Sequence, residues 1–258
     1  FYEISLIPFV VIFAFILPIA SKVAWRSTKF IDIRKLFSFI LICSGVSASG
    51  FLFGTLSPLT FIGFFLASWV CLSSILELIP LFQFYYQKSK STKRSLLINF
   101  RLIGRTCSHF GFGLLIFGVT AVSSWEKEDI RNIEIGESFY ITSYKITFKN
   151  IDYSVEKNFK KVSGTFEVMH NNKLIGTLFP EKRLYPSRNE VTTEASIKPT
   201  ILNDFYIVLG NKLNENAWVV RTYLKPFISF IWFGVILIAL GGFVSLLAFI
   251  PYRNNSMV

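Results

Sequence analysis

The chain has 258 residues, 52% of them hydrophobic and 29 of them Phe, with a mean hydropathy of +0.50. A soluble domain is less apolar than this, so the composition excludes a wholly soluble protein and indicates an integral membrane protein with one polar insertion. The formal charge of +11 would suit nucleic acid, but residues 126–224 are nearly neutral. The excess Lys and Arg lies in two short stretches between apolar segments, which is the pattern of cytoplasmic membrane loops, so no nucleic acid partner is expected.

Residue 1 is Phe, and the chain leads at once into an apolar segment with nothing like a cleavable secretory signal. It is therefore expected to be part of something longer. The first predicted span covers residues 4–24, with Pro18 as a kink that membrane helices tolerate. Lys22, Arg26, Lys29, Arg34 and Lys35 follow against a single Asp32, marking a cytoplasmic loop. The second span, residues 36–53, carries SGVSASG and Gly50-x-x-x-Gly54, a spacing of small residues that allows close helix packing or lines a ligand. A turn at Ser57-Pro58 leads to the third span, residues 59–82. Its Glu77 is the one acid in any predicted span and is placed near the cytoplasmic end, where it can snorkel to the interface. Tyr85 and Tyr86 fit an interfacial aromatic belt. A second basic stretch, with Lys88, Lys90, Lys93, Arg94, Arg101 and Arg105, precedes the fourth span, residues 105–125, which Trp125 closes. The fifth covers residues 226–250, before a short tail with Arg253. An apolar helix needs about 20 residues to cross a bilayer, and five such segments satisfy every loop.

The expected fold class is a polytopic α-helical membrane protein of five spans with an inserted extracytoplasmic antiparallel β domain. The predicted domains are residues 1–125 with four spans, 126–224 as the β domain, and 225–258 as the last span and a cytoplasmic tail. The β reading rests on alternation in SFYITSYKITFKNIDYSV. Strands are predicted at residues 165–169 and 173–179 around an Asn-Asn turn, and in DFYIVLG and AWVVRTYL. A small sandwich or barrel would close them. His170 abuts the turn and reads as a solvent-facing structural residue. Glu167, Glu181 and Glu194 fall in separate strands or loops and read as solvated. Cys43, Cys71 and Cys107 all lie in apolar runs, as buried structural thiols do, and the polar part has no cysteine for a disulfide framework.

The fourth span, RTCSHFGFGLLIFGVTAVSSW, carries the chemistry. His109 is one of two histidines and the one placed in an apolar segment, where an ionisable group calls for a functional explanation. Arg105, His109 and Gly113 are four apart and share one helix face. A flat macrocycle bound through iron needs a nitrogen ligand, room beside it and cations for its propionates, and this row offers all three, with His109 as a haem iron ligand. A packed structural histidine, with Gly111, Gly113 and Gly118 serving helix contact, accounts for the same residues. No His, Cys or carboxylate cluster has zinc spacing, and there is no GxSxG, P-loop or dinucleotide fingerprint.

Several pieces in order resemble the C-terminal portion of the CcmF family, the haem lyase component of system I cytochrome c maturation. They are HFGFGLLIFGVTAVSS from His109, GTFEV from Gly164, LFPEKRLYP from Leu178, TEA from Thr193, DFYIVLG from Asp204 and VVRTYLKPFISFIW from Val219. The resemblance implies a role in attaching haem covalently to Cys-x-x-Cys-His apocytochrome c outside the cytoplasm. It implies haem delivery by the haem chaperone CcmE and work with a CcmH-type thiol component. It also implies a haem b in the membrane, held by two histidines from different spans, of which His109 matches the second. Arg105 would then pair with a propionate and Gly113 would make room for the ring. The location implied is the bacterial cytoplasmic (inner) membrane or the mitochondrial inner membrane.

The family's tryptophan-rich WWD segment, the two outer histidines that flank it and the first membrane histidine have no counterpart here. They would belong to an upstream CcmF portion, and without it this chain is not expected to complete the lyase reaction. Two alternatives stand beside this reading: a non-catalytic membrane scaffold that presents the β domain to partners, and the paralogous lyase for nitrite reductase haem attachment.

Overall fold

The computed structural model describes residues 2–22, 33–52, 54, 57–87, 93–214 and 216–247. Parts of the two basic stretches, residues 23–32 and 88–92, lie outside the described residues, including Arg26, Lys29, Asp32, Lys88 and Lys90, as does Arg253 of the tail. The side chains of Tyr85 and Tyr86 also lie outside the description. The chain divides into two units, residues 1–124 with 230–258 and residues 125–229.

The first unit is helical: α1 (Tyr2–Lys22), α2 (Ile33–Ala48), a 3-10 turn at Ser49–Leu52, α3 (Pro58–Gln87), α4 (Lys93–Trp125) and α5 (Ile228–Leu247). Among the described residues, three stretches are long and apolar enough to cross a membrane: Pro58–Ile79, Phe100–Trp125 and Ile228–Leu247. The apolar parts of α1 and α2, Ser5–Ala20 and Leu36–Ala48, are shorter. Helix α4 starts at Lys93 rather than at Arg105. Lys, Arg and Leu are good helix formers, and a charge run that ends a hydropathic segment does not end a helix.

Helix α3 is the hub of this unit. Its start is capped: Ser57 Oγ accepts from Thr60 N at 3.2 Å, and Pro58 occupies the first helical position, where its missing N–H costs nothing. Midway, the Trp69 indole N–H donates to the Phe15 carbonyl of α1 at 3.1 Å, and its ring stacks on Phe15 at 5.6 Å. One residue earlier, Ser68 Oγ donates to the Cys43 carbonyl of α2 at 3.3 Å. Cys43 is fully buried, and Cys71 and Cys107 are partly buried, all as free thiols.

Within SGVSASG the packing falls to Ser47, which is fully buried, rather than to Gly45. A Cβ on Gly45 would meet nothing within 4 Å, and α2 gives way to the 3-10 turn before Gly50. The contact glycines are instead on α4 and α5, which run antiparallel. Gly104 faces Gly241 and Ser245, Gly111 faces Gly234, and Gly118 faces Ile231. A Cβ on Gly111 would lie 2.7 Å from the Gly234 carbonyl oxygen, so the two backbones touch. Glycines seven apart recur on one helix face, since seven residues are nearly two turns. Ser108 Oγ and Cys107 Sγ add bonds across the same seam, to the carbonyls of Ile238 (3.1 Å) and Leu237 (3.5 Å).

The second unit is an antiparallel sandwich of ten strands: β1 (Lys127–Glu134), β2 (Ser138–Ile141), β3 (Tyr144–Val155), β4 (Lys160–His170), β5 (Lys173–Leu178), β6 (Glu181–Tyr185), β7 (Glu190–Glu194), β8 (Ser196–Lys198), β9 (Asn203–Lys212) and β10 (Ala217–Pro226). One sheet has the order β1-β10-β9-β8; the other runs β2-β3-β4-β6-β7, with β5 also paired to β4. Alternate residues point inward, as the period of two requires. Ile146 and Phe148 of β3, Phe166 and Val168 of β4, Phe205, Ile207 and Leu209 of β9 and Val220 of β10 form the core. Phe148 and Phe166 stack at 4.5 Å, nearly parallel.

The Asn-Asn turn is present: Asn171 and Asn172 have φ of 48° and 60° and join β4 to β5, the double positive φ of a type I′ hairpin turn. The alternating run from Ser138 is two strands, not one, because Thr142, at φ 55°, breaks it. His170 Nδ1–H donates to the Ser143 carbonyl, 3.2 Å away, and the ring stacks on Tyr144 at 4.5 Å. It is a structural residue at the strand end, as its place beside the turn suggests.

Candidate functional site

His109 lies in the interior of the apolar part of α4, about 13 Å along the axis from Phe100 at 1.5 Å per residue. Its ring is half-buried. Neither ring nitrogen makes a hydrogen bond among the described residues, so a lone pair is left for a ligand.

The two other members of the predicted row behave differently. The Arg105 guanidinium donates to Glu77 of α3 at 3.2 Å, with Glu77 largely buried. Glu77 is therefore the counter-ion of Arg105 rather than a lone snorkelling carboxylate. Both groups are close enough to act electrostatically on the imidazole. Gly113 does not leave open space beside the ring: a Cβ there would lie 2.5 Å from Cys71 Sγ and 3.0 Å from Cys71 N. The missing side chain is taken up by close approach of α3.

One antiparallel register between α3 and α4 produces all of this. Thr60 Oγ1 and Ser124 Oγ are 2.9 Å apart at one end, Gly63 faces Thr120, Cys71 meets Gly113 and the Phe110 carbonyl, and Glu77 meets Arg105 at the other end. The pairing of Glu77 with Arg105 was missed from the sequence. The usable signal was the one carboxylate of a span and an arginine in the next, each near the same membrane face. Among the described residues no three His, Cys, Asp or Glu side chains gather as a metal site.

In the sandwich, two of the three acids read as separate are brought together. Glu181 and Glu194 are directly opposite across β6 and β7. Glu181 accepts from Lys161 at 3.1 Å and from Arg183 at 2.8 Å, and Arg183 also reaches Glu194 at 3.8 Å. Burial pushes the Glu181 carboxyl up, but the bonds from Arg183 and Lys161 outweigh it and hold the group below its ordinary value. Glu167 stays apart, paired with Lys149 at 3.0 Å. The LFPEKRLYP and TEA segments are thus the two halves of one ion network. An open hollow of about 900 Å³ lies beside it, lined by Phe159, Tyr185, Arg188 and Glu190 among others.

Helices long and apolar enough to cross a membrane, with a folded sandwich inserted between the last two, define a class, the helical membrane proteins with one inserted β domain. Residues 124–226 match the family described as the CcmF C-terminal beta-sandwich. The cytochrome c-type biogenesis protein ccl1 of Rhodobacter capsulatus is 32% identical over 248 residues, which cover 95% of this chain and 37% of that protein. The cytochrome c-type biogenesis protein CcmF of Pseudomonas fluorescens is 28% identical and covers 96% of this chain. A solved structure named Cytochrome c Heme Lyase CcmF superposes with a TM-score of 0.75 at 14% identity, over 97% of this chain and 40% of its own. The chain belongs to the CcmF family of cytochrome c biogenesis proteins and corresponds to its C-terminal portion. It spans 37% of the length of these two relatives.

Proposed function

We propose that this chain is the C-terminal part of a cytochrome c haem lyase, contributing one side of a haem b site in the membrane. His109 would supply one axial ligand, and the second would come from the upstream CcmF portion. The observation that carries this reading is an imidazole inside an apolar helix with no hydrogen-bond partner among the described residues. Haem b supplies one-electron chemistry when bound, suited to keeping delivered haem reduced. The chain's own residues would position it. Arg105 is already engaged by Glu77, so a propionate there would share the guanidinium with that carboxylate. Gly113 would act on the site by fixing how closely α3 approaches α4.

The same reading has five spans, with α1 and α2 crossing beside the three longer helices. The basic stretches after α1 and before α4 favour a cytoplasmic side for both loops, which leaves the sandwich outside the cytoplasm. There it would offer a docking surface to the haem chaperone CcmE, a CcmH-type component or apocytochrome c.

The test is a reduced-minus-oxidised absorbance spectrum of the purified chain, with and without an upstream CcmF portion from a relative, in wild type and His109→Ala. A low-spin b-type spectrum that needs the upstream portion and vanishes in His109→Ala is expected. The same haem content in His109→Ala refutes the ligand role. The filling of the Gly113 space by Cys71 favours the second reading, a scaffold with a packed histidine. A haem-free complex that still captures CcmE would establish it.

A further inference from the structure

The loop between β8 and β9, residues 199–202, carries two aliphatic side chains turned to solvent: Ile201 is 73% exposed and Leu202 54%. The loop is not slack. Thr200 N donates to the Asp204 carboxylate at 3.0 Å, Asn203 N donates to Thr200 Oγ1 at 3.0 Å, and that hydroxyl donates in turn to the Asn203 carbonyl. A braced turn that holds two aliphatic side chains outward leaves their apolar surface uncovered by the chain itself.

The position of the loop names what covers it. Phe227 N donates to the Leu202 carbonyl at 2.7 Å, and Ser229 Oγ donates to the Thr200 carbonyl at 2.9 Å. Both sides of Ile201 are thereby fastened to the residues that open α5, the most apolar of the three candidate spans, which begins at Ile228. A helix of 20 residues only just crosses the hydrocarbon layer, so its first turn lies at the membrane boundary and Ile201 lies beside that turn. The surroundings have interfacial chemistry. The Trp125 and Phe227 rings meet edge to face at 5.9 Å. The Lys225 ammonium lies 5.3 Å from the Tyr206 ring centre and 5.5 Å from that of Tyr223. Aromatic rings and a lysine in one layer are the composition of a membrane interface.

We propose that residues 199–202 form a lipid anchor, in which Ile201 and Leu202 enter the headgroup and acyl boundary of the bilayer beside the first turn of α5. The anchor fixes the sandwich to the membrane surface on the side of β8 and β9, in addition to the two covalent connections at Trp125 and Phe227. It is independent of whether His109 binds haem.

An environment-sensitive fluorescent amino acid is placed at Ile201, and in separate proteins at Leu202 and at Leu213. Leu213 is also an exposed aliphatic residue, but it lies beyond the far end of β9. That strand's ten residues span about 30 Å at 3.3 Å each. The full chain is reconstituted in phosphatidylcholine vesicles, with and without lipid brominated near the carbonyl end of its acyl chains. Expected are strong quenching by brominated lipid at positions 201 and 202, weak quenching by aqueous iodide there, and the reverse at Leu213. Iodide quenching at 201 and 202 equal to that at Leu213 would overturn the proposal. Protection at 201 and 202 from both quenchers would overturn it too, because protein would then be covering the loop.

Discussion

Gly241 and Gly242 are neighbours on α5 with opposite surroundings, and alanine at each should move stability in opposite directions. A Cβ on Gly241 would stand 2.6 Å from the Ser108 backbone nitrogen and closer still to the Gly104 carbonyl oxygen. Ordinary carbon contacts begin near 3.5 Å, so α4 and α5 would have to part by roughly 1 Å at that level. The clash is with backbone, which has no rotamer to change. Overpacking of this kind costs about 1–3 kcal/mol, and separation would also lengthen the Ser108 bond to the Ile238 carbonyl, now 3.1 Å. A Cβ on Gly242 would meet nothing within 4 Å. There the gain in helix propensity, up to about 1 kcal/mol for Gly to Ala, is unopposed. The assay is equilibrium unfolding of the purified chain in mild detergent, followed by far-UV circular dichroism. Gly241→Ala should fall below wild type and Gly242→Ala should match or exceed it. Equal destabilisation by both would refute the seam, since it would mean that glycine is required for helix flexibility rather than for contact.

Three further outcomes follow from the sandwich. Phe148→Ala removes one of two stacked, fully buried rings and should cost about 3–5 kcal/mol in thermal or denaturant unfolding. The depressed Glu181 carboxyl adds stability that is present above its unfolded value and lost as pH falls through its lower folded value. Arg183→Ala should therefore flatten the acid limb of a stability–pH profile below the ordinary 4.5. Asp204 has the opposite sign: burial pushes its carboxyl up from the ordinary 3.8, against the bond from Thr200 N. Its contribution falls as pH rises from that value to the raised one and is level above. Asp204→Asn, which keeps an acceptor for Thr200, should therefore match or exceed wild-type stability at neutral pH while losing that slope.

Features set by local chemistry were legible in the sequence. The Asn171-Asn172 turn has a single low-energy hairpin geometry, and alternation marked β3, β4, β9 and β10. Strand β1 was missed because its charged residues, Lys127, Glu128, Asp129 and Arg131, hide the period. Strands β6 to β8 were missed because they are three to five residues long and carry ions. What depends on register between helices was not legible. Gly45 and Gly111 look alike in an apolar run, yet one faces open space and the other touches the Gly234 backbone. Arg105 was identifiable as a cation near the histidine, but its partner Glu77 is 28 positions away in sequence and is set by how α3 lies on α4.

That register bears on how His109 can work. Helix α4 is committed on two faces, to α5 through Gly104, Gly111 and Gly118 and to α3 through Gly113 and Thr120. The imidazole shares its helix face with Arg105 and Gly113, which both meet α3, and three positions on Phe112 meets Phe13 of α1 at 5.3 Å. Two glycine contacts therefore hold α4 against rotation about its own axis, and rotation is the motion that would most easily misdirect a single side chain. An axial ligand gains from such a mount, because a ligand's orientation is held by the shell around it. A merely packed histidine would not need it. The glycine seams thus give a test independent of the spectrum of His109→Ala. In the complex with an upstream portion, Gly111→Ala leaves the imidazole in place but shifts its helix. It should broaden or shift the low-spin signal if His109 is a ligand, and leave any haem signal unchanged if it is not.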